Sequence, residues 1–491
     1  MVVLYVILAV IALAIIITAI KAAKFVPEKK ESVEIQAENV DFERVQKNLS
    51  KAIQCKTISH DDPSETDWSE FEKFHAFLEE AYPMIHKNLK KEVVSAASLI
   101  FKWEGQNPDL EPMALLAHQD VVPVTEGTEG DWTHNPFEGH NDGEYIWGRG
   151  AVDMKNHLIC VMESVETLLE EGFVPERDVY LCFGHNEEVV CAKDPGASEI
   201  VKTLQSRGIH LDSVLDEGGA IITADIKGLL NTNIIAIGMA EKGYCDFKIT
   251  VTDKGGHSSQ APDHNGLGKL ANTILDIENN QFKIKILPFM YDLLNRVGRT
   301  GTFPARFLLC NYKLFGPIIK FLGKRIPFLA CLVRTVTAVT MCEGSPAPNV
   351  LAQRASCTVN FRPIFGETSE DVANHLREVI RYKDAEIECL RKKEPSRFSP
   401  TGSRAFNAIE NITSATYTNR ANAVVPYLVM GGTDAYFYEQ ISENVLRFAP
   451  FRFPVSIIAT SHGTNERCPV FALKEGVAFF KSYIRQVSKE S

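Results

Sequence analysis

The sequence predicts an α/β fold with a mostly parallel central sheet, interrupted by an inserted α+β unit. The first observation is a series of short apolar runs, each followed by polar residues, at 114–117, 179–183 and 214–215. The second is the helical pattern between them, because strands that alternate with helices form parallel sheets. The third is a change of pattern near Glu241. A chain of 491 residues is also too long for one ordinary core, so two domains are expected.

The composition is that of a folded globular protein. Hydrophobic residues make up 45% and charged residues 23% of the chain, which argues against disorder. The net charge is −11 and the pI is about 5.7. Nucleic-acid binding is therefore not expected, because the chain has no excess of basic residues to contact phosphates.

The N-terminus carries a long apolar run, Val2 to Ile20, followed by Lys21 and Lys24. About 20 helical residues span the hydrocarbon core of a bilayer, so residues 1–24 are predicted to be a transmembrane signal-anchor and residues 25–41 a stalk. Cleavage as a signal peptide, followed by secretion, is the alternative. It is disfavoured because the run is long and no basic residue precedes it.

The orientation of this anchor depends on opposing signals. Lysines after the span favour a cytoplasmic body, although long domains translocate regardless of charge. Two glycosylation sequons, at Asn48 and Asn411, favour a luminal or extracellular body. A single-pass glycoprotein with a luminal or extracellular catalytic unit is predicted.

The first catalytic segment is predicted at residues 42–239. A helix begins near Phe42, and a buried strand at 114–117 ends in His118. A helix at 157–169 and a strand at 179–183 follow, and the short run at 214–215 leads into Asp216. Open α/β sheets gather their sites at the carboxyl ends of such strands.

The inserted unit is predicted at residues 240–395, and the second catalytic segment at 396–491. Strand patterns lie at 247–251, 355–361 and 385–390, and helix patterns at 267–277 and 369–380. One more strand between the two helices would give the β-α-β-β-α-β order of a ferredoxin-like α+β domain.

Five separated fragments carry side chains that bind zinc. They are His118–Asp120, Gly148–Lys155, Asn186–Glu188, Leu215–Gly219 and Ser461–Glu466. Together they offer two imidazoles and several carboxylates, which is the ligand mixture of a two-zinc hydrolytic site. An amide-bond hydrolase is therefore the leading hypothesis.

In combination and order, these motifs resemble the di-zinc metallopeptidase family of aminoacylase and carboxypeptidase S. The likeness covers nearly all of residues 42–485 and is greatest to the branch that holds carboxypeptidase S and the N-fatty-acyl-amino-acid synthase/hydrolase. It implies two Zn²⁺ per chain and a homodimer formed through the inserted dimerisation or lid domain. It also implies the metal ligands His118, Asp153, Glu188, Asp216 and His462.

The resemblance gives these residues distinct roles. Asp153 would bridge the two ions, with His118 and Asp216 on one and Glu188 and His462 on the other. Glu217, next to Asp216, is the alternative for the fourth carboxylate. Two residues would act without binding metal: Asp120 would orient the His118 ring, and Glu187 would be the general base.

The same resemblance implies residues that contact substrate. His257 would reach the active site of a second subunit and stabilise the oxyanion. Asn360 and Arg362 would bind a substrate carboxylate, for which a guanidinium is suited by its paired N–H groups. One departure concerns Gly431 to Phe437, where the resembling enzymes often have Arg or His shortly after Thr-Asp. Here Ala435, Tyr436 and Phe437 follow, so one carboxylate contact is missing from that place.

Two classes of function are compatible with these residues. The first is hydrolysis of an amide bond next to a free carboxylate, in an N-acyl amino acid or at a peptide C-terminus, with condensation as the reverse reaction. The second is a catalytically decayed, membrane-tethered binding or scaffold protein on the same fold. The complete set of ligands, base and orienting carboxylate favours the enzyme.

Overall fold

The computed structural model describes residues 2–27, 35–316 and 327–490. The N-terminal run forms helix α1 (Val2–Lys24). Its apolar side chains are exposed, and it is long and apolar enough to cross a membrane. The predicted stalk, residues 25–41, falls partly on residues 28–34, which lie outside the described part of the chain.

The large sheet has nine strands and supports most of the site residues. Its strands are β1 (Lys90–Val94), β2 (Ser98–Trp103), β3 (Met113–His118), β6 (Val179–Gly184), β7 (Ser213–Asp216), β8 (Ala220–Ile226), β9 (Leu230–Glu241), β16 (Ala421–Val429) and β17 (Val445–Arg447). The order is β1-β2-β6-β3-β7-β17-β9-β16, with β8 paired to β9. The central pairs β6–β3, β3–β7 and β7–β17 are parallel, as is β9–β16.

Helices cover both faces of this sheet. They are α2 (Phe42–Ile53), α3 (Trp68–Ala81), α4 (Pro83–Asn88), α5 (Lys155–Glu170), α6 (Gly196–Ser206), α12 (Arg404–Thr416), α13 (Ala435–Tyr438), α14 (Val455–Ile458) and α15 (Val470–Val487). Side chains alternate along β3, so that Leu115 packs with α5 and α15 while Leu116 packs with α6. Burial on both faces explains why the sequence shows continuous apolar runs rather than alternating ones. A short sheet of β4 (His140–Asn141), β5 (Tyr145–Trp147) and β18 (Arg467–Pro469) lies beside it.

The second, smaller sheet has the predicted α+β order. It contains β10 (Tyr244–Thr252), β12 (Val336–Glu343), β14 (Arg354–Arg362) and β15 (Glu386–Lys393), in the antiparallel order β12-β14-β10-β15. Helices α7 (Gly266–Asn279) and α11 (Ser369–Val379) pack on one face. Strand β12 is the extra strand that the pattern required, so the predicted fold class is confirmed.

Local signals in the sequence fix several of these elements. Thr368 and Asp371 form a reciprocal capping box at the start of α11. Asn265 caps α7 by accepting a hydrogen bond from the amide of Gly268. Further elements are α8 (Pro288–Thr300), α9 (Phe303–Cys310), α10 (Pro327–Val333), β11 (Gly256–His257) and β13 (Val350–Leu351).

Only a few residues separate the two sheets along the chain. Strand β9 ends at Glu241, and β10 begins at Tyr244 in the small sheet. The chain leaves the small sheet after Lys393 and enters α12 at Arg404. The domain boundaries themselves stay a prediction.

The sequon at Asn48 lies inside the core. Asn48 belongs to α2 and is 5% exposed, so a glycan on its side chain would prevent the helix from packing. Asn411 is half-buried in α12. Asn48 therefore gives no support to a luminal orientation.

Candidate metal centre

The ligand fragments meet because the strands before them are neighbours. Strands β6, β3 and β7 lie side by side and parallel, so their carboxyl ends share one edge of the sheet. His118 is the last residue of β3, and Glu187 and Glu188 come shortly after β6. Asp216 is the last residue of β7.

Asp153 lies between the two histidines of the site. Its Oδ1 atom is 3.2 Å from Nε2 of His118, and its Oδ2 atom is 3.0 Å from Nε2 of His462. His462 Nε2 is also 3.1 Å from Oε2 of Glu188. One carboxylate thus faces a different imidazole with each of its oxygens.

The structure does not bring the carboxylate of Asp216 to this cluster. Its two oxygens accept hydrogen bonds from the backbone amides of Glu217, at 2.9 Å, and Ala435, at 2.8 Å. The Oε1 atom of Glu217 lies 3.4 Å from Nε2 of His118 instead. Successive strand residues point to opposite sides, so only one of the two acids faces His118. Of the two adjacent acids, the alternative Glu217 is thus the one whose carboxylate faces His118, whereas the carboxylate of Asp216, the residue first expected, faces backbone amides.

The spacing of the donor atoms fits zinc. Nitrogen and oxygen ligands at bonds of about 2.0–2.1 Å in a tetrahedral shell lie roughly 3.3 Å apart. The contacts of Asp153 and Glu217 with His118 measure 3.2 and 3.4 Å. Ligand atoms of His118, Asp153 and Glu188 all lie within 4.8 Å of one another, as do those of His118, Glu187 and Glu217. The candidate metal-ligand atoms thus form two groups, and the imidazole of His118 belongs to both.

Burial and close acidic neighbours make this cluster electrostatically unusual. Burial, and then the charge of Asp153, raises the pKa of Glu217 to about 8. Burial also raises the pKa of Glu187 well above its usual value, and Glu188 and Glu217 add to this. Hydrogen bonds to Asp153 and Glu188 raise the pKa of His462 to about 10. The cluster therefore favours bound positive charge, whether protons or metal cations.

Asp120 holds the ends of two strands together. Its Oδ1 and Oδ2 atoms accept hydrogen bonds, each of 3.1 Å, from the backbone amides of Glu187 and Glu188. The Nδ1–H of His118 donates to the backbone carbonyl of Asp120 at 3.0 Å, and Oδ1 lies 3.4 Å away. This leaves Nε2 of His118 facing the cluster, which is the arrangement of a metal-binding histidine.

Glu466 holds the loop of Asp153 in a similar way. Its Oε1 atom accepts hydrogen bonds from the amides of Val152, at 2.8 Å, and Asp153, at 3.1 Å. Its other oxygen pairs with Nη1 of Arg149 at 2.5 Å, and both side chains are buried. No role was predicted for this pair, although Glu466 shares a fragment with His462, because sequence does not reveal burial.

A cavity of about 570 Å³ opens beside the cluster. Glu187, Glu188 and His462 line it, and we call these residues the acidic wall. Four cationic side chains line it as well: Lys242, Arg362, Lys392 and Lys393. Two of these and three aromatic residues form what we call the cationic wall: Arg362, Lys393, Tyr244, Tyr436 and Phe437. The guanidinium carbon of Arg362 lies 4.6 Å from the ring centroid of Tyr244, and burial lowers the pKa of Arg362.

The two other predicted substrate residues, Asn360 and His257, do not line this cavity. The Nδ2 group of Asn360 donates to Oδ1 of Asp246 at 2.8 Å. His257 is exposed in β11, where its Nδ1 atom contacts Ser259 Oγ at 2.8 Å. Among the described residues that line the cavity, neither is present.

Comparison with known proteins places the chain among peptidases. The model of peptidase family M20/M25/M40 matches residues 114–486. The chain is 36% identical over 455 residues to the probable carboxypeptidase S-like 2 of Dictyostelium discoideum, covering 91% of this chain and 86% of that protein. It is 29% identical over 466 residues to the N-fatty-acyl-amino acid synthase/hydrolase PM20D1 of Xenopus tropicalis, covering 93% and 88%.

A solved structure has the same fold. It is the M20 family metallo-carboxypeptidase Sso-CP2 of Sulfolobus solfataricus, with a TM-score of 0.65 and 16% sequence identity. The match covers 90% of this chain and 99% of that one. These comparisons confirm the family resemblance read from the motifs.

Proposed function

Because the chain belongs to peptidase family M20/M25/M40, we propose that this metallohydrolase uses two zinc ions to cleave an amide bond next to a free carboxylate. The substrate is an N-acyl amino acid or the C-terminal residue of a short peptide, and condensation is the reverse reaction. The names of two relatives support these two substrate classes. They are carboxypeptidase S of Saccharomyces cerevisiae, 30% identical, and the N-fatty-acyl-amino acid synthase/hydrolase. The observation that carries the proposal is a carboxylate between two imidazoles beside a cavity that contains Arg362.

The residues that would hold the metals follow from the donor groups. His118 and Glu217 would hold one ion and Glu188 and His462 the other, and Asp153, which lies between the two histidines, would serve both. Glu217 takes the place first expected for Asp216, whose oxygens are already bonded to backbone amides. Bound zinc polarises a carbonyl and lowers the pKa of water.

Glu187 is the group that moves protons. Its carboxylate lines the cavity, and its Oε2 atom lies 4.0 Å from Nε2 of His118, farther than the oxygen of Glu217. Glu187 takes a proton from the attacking water and passes it to the leaving nitrogen. Asp120 is a positioning residue, because it holds the amides of Glu187 and Glu188.

Arg362 binds the free carboxylate of the substrate. Among the described residues it makes no ion pair, and burial next to the cavity makes an anion a favourable partner. Asn360 lies two residues earlier on β14 and donates a hydrogen bond to Asp246 of the neighbouring strand β10. We therefore assign Asn360 the role of holding the cationic wall in place.

His257 acts in the site of a second subunit. It is exposed in β11, which pairs with β13, and it is absent from the cavity lining of its own chain, which supports a homodimer in which it reaches across. Mixing inactive His257→Ala with inactive Glu187→Gln tests this, because one hybrid site would hold both native groups. Recovered activity supports the dimer, whereas no recovery after demonstrated subunit exchange argues for a self-contained site.

Helix α1 anchors the enzyme in a membrane, with the catalytic unit luminal or extracellular. Its exposed apolar surface supports a membrane segment, and secretion after cleavage is the alternative. N-terminal sequencing of the expressed protein distinguishes an anchor from a cleaved signal. Degradation of the catalytic unit by protease added to the cytosolic side of intact vesicles would contradict the orientation.

Activity on a substrate panel tests the proposed reaction. Purified protein is incubated with dipeptides, N-acyl amino acids and their carboxamides, before and after chelation and zinc restoration. We expect two zinc ions per chain and cleavage of free-carboxylate substrates that is lost with the metal and returns with it. Absence of cleavage across the panel by zinc-loaded protein would favour the decayed binding protein.

A further inference from the structure

We propose that Lys393 is a specificity-determining residue that binds the substrate carboxylate together with Arg362. This inference rests on the proposed function, whose substrates carry a free carboxylate. It concerns a residue of β15 that no motif of the sequence singled out.

The ammonium of Lys393 lies next to the segment that lacks the expected cation. Its Nζ atom is 4.5 Å from the ring centroid of Tyr436 and 5.8 Å from that of Phe437. These are the residues that stand where the resembling enzymes often carry Arg or His after Thr-Asp. Aromatic faces attract cations, so the two rings favour a charged group from another strand at this place. Lys393 supplies a positive charge that Gly431 to Phe437 does not.

The ammonium is held loosely enough to bind a ligand. It contacts Oε2 of Glu241 at 3.3 Å and the carbonyl of Thr433 at 3.4 Å. An ammonium has three N–H donors, so these two long contacts leave at least one donor available. The side chain is 21% exposed, whereas that of Glu241 is fully buried.

Glu241 has a second cationic partner besides Lys393, the guanidinium of Arg447, which also contacts Glu439. The Nε group of Arg447 donates to Oε1 of Glu241 at 2.6 Å, and the hydroxyl of Thr433 donates to the same oxygen at 2.9 Å. Glu241 therefore acts as a fixed support that positions the ammonium, while its own negative charge has a guanidinium partner.

Gly432 keeps the space around the ammonium open. A Cβ atom at this position would lie 2.9 Å from Nζ of Lys393, closer than Cβ atoms are found to their neighbours. Gly432, Thr433 and Tyr436 line the same cavity as Lys393. A glycine at the cavity surface thus leaves room for an approaching anion.

Lys393 and Arg362 flank the same tyrosine. Tyr244 is the register partner of Lys393 across β10 and β15, and the guanidinium of Arg362 lies over the Tyr244 ring. Strand β14, which ends at Arg362, pairs with the other edge of β10. Paired strands are about 4.8 Å apart, so the two cations start from backbones roughly 10 Å apart and line one cavity with long side chains. A carboxylate has two oxygens and can accept from both groups.

The test combines a change in the enzyme with a matching change in the substrate. Lys393→Met keeps the length of the side chain and removes its charge. Activity is measured on a free-carboxylate substrate cleaved by the wild-type protein and on its carboxamide. Loss of a charged contact is expected to lower kcat/KM for the carboxylate by about 10- to 100-fold and for the carboxamide by less than about 2-fold. Lys393→Arg is expected to retain most of the preference for the carboxylate.

Lys248→Met is the matched control. Lys248 also lies on the small sheet and pairs with a glutamate, Glu343, at 3.1 Å, but it does not line the cavity. Its removal is expected to leave both substrates unaffected. Thermal unfolding of each variant shows whether it folds, and Lys393→Gln replaces Lys393→Met if the latter does not.

The possible outcomes separate this inference from the proposed function. Equal losses on carboxylate and carboxamide, or no loss on either, would overturn the role of Lys393 while leaving the hydrolase intact. Failure of the wild-type protein to cleave any free-carboxylate substrate would overturn both. A selective loss on the carboxylate, restored by Lys393→Arg, would establish the role.

Discussion

The acidic and cationic walls of the cavity are built in different ways. Glu187 and Glu188 follow a buried strand, and their amides are fixed by the carboxylate of Asp120. Arg362 and Lys393 extend from the small sheet, where contacts with aromatic rings and a long ion pair hold them. Backbone hydrogen bonds restrict a group more than contacts to the tip of a long side chain do. Under the proposed function, the chemistry would depend on fixed groups and the recognition of substrate on adaptable ones.

The walls also differ in what they require to be stable. Burial raises the pKa values of Glu187 and Glu188, so the acidic wall needs positive charge close by. Burial lowers the pKa of Arg362, so the cationic wall favours an anion. Under the proposed function, bound metal and the carboxylate of the substrate would satisfy both needs within one cavity. Substitutions on each wall should therefore affect different measured quantities.

The largest effect is expected from Glu187→Gln. Glutamine keeps the shape of the side chain but cannot accept a proton, so kcat should fall by at least about 10³-fold. Metal content should stay unchanged, because Glu187 is assigned to proton transfer. Steady-state kinetics and elemental analysis of the same preparation measure both. His118→Ala is the comparison variant and should lose metal together with activity. If Glu187→Gln retained most of its kcat, the general base would have to be a different residue.

The second-largest effect is expected on metal affinity, and it should differ between the neighbouring acids Glu217 and Asp216. Glu217→Gln should lower the affinity for one metal ion by well over about 100-fold, because it removes a ligand. Asp216→Asn should lower it by about 10- to 100-fold, as the loss of an outer supporting group does. Competition with a chelator of known affinity measures both variants. A larger loss in Asp216→Asn would restore the assignment first expected.

Much of the site was predictable from sequence because strand ends carry it. His118, Glu187 and Glu188 follow strands whose apolar runs are visible, and the parallel order brings them together. The choice between Asp216 and Glu217 was not predictable. It depends on which side of a short strand faces His118, and that is set by the amides of Glu217 and Ala435.

The cationic wall was harder to predict for a different reason. Lys393 lies some 150 residues from Glu241 in the chain but contacts its carboxylate, so no local pattern connects them. The extra strand β12 was also missed, because its exposed and half-buried residues form no apolar run. Long-range pairing, rather than local propensity, determines this half of the cavity.

Arg362→Met tests the cationic wall directly. Removing the guanidinium should raise KM for a free-carboxylate substrate by up to about 100-fold, with a smaller change in kcat. Metal content should not change, since Arg362 contacts Tyr244 rather than the acidic cluster. Initial-rate kinetics over a wide substrate range separate the two constants. A fall in kcat with KM unaltered would show that the two walls are not functionally distinct.

The smallest expected effect concerns a buried histidine that belongs to neither wall. His157, in α5, is 1% exposed, and its ring centroid lies 4.8 Å from that of Phe480. Among the described residues neither of its ring nitrogens has a hydrogen-bond partner, and burial lowers its pKa to about 3. An unfolded histidine has a pKa of about 6.5, so below that pH the unfolded chain binds a proton that the folded chain does not. Stability due to His157 is therefore fully present above pH 6.5 and is lost as the pH falls toward 3.

His157→Leu should remove this pH dependence. At pH 5 the proton taken up by the unfolded state costs the wild-type protein about 2 kcal/mol, since each pH unit below 6.5 contributes about 1.4 kcal/mol. Leucine is similar in size and does not titrate, while all other titrating groups are shared and cancel in the comparison. Urea unfolding of both proteins at pH 7 and pH 5, with chelator present to exclude metal release, gives the difference. Parallel losses of stability would mean that the folded protein protonates His157 as easily as the unfolded chain does, so the packing of His157 against Phe451 and Phe480 would have to open at mildly acidic pH.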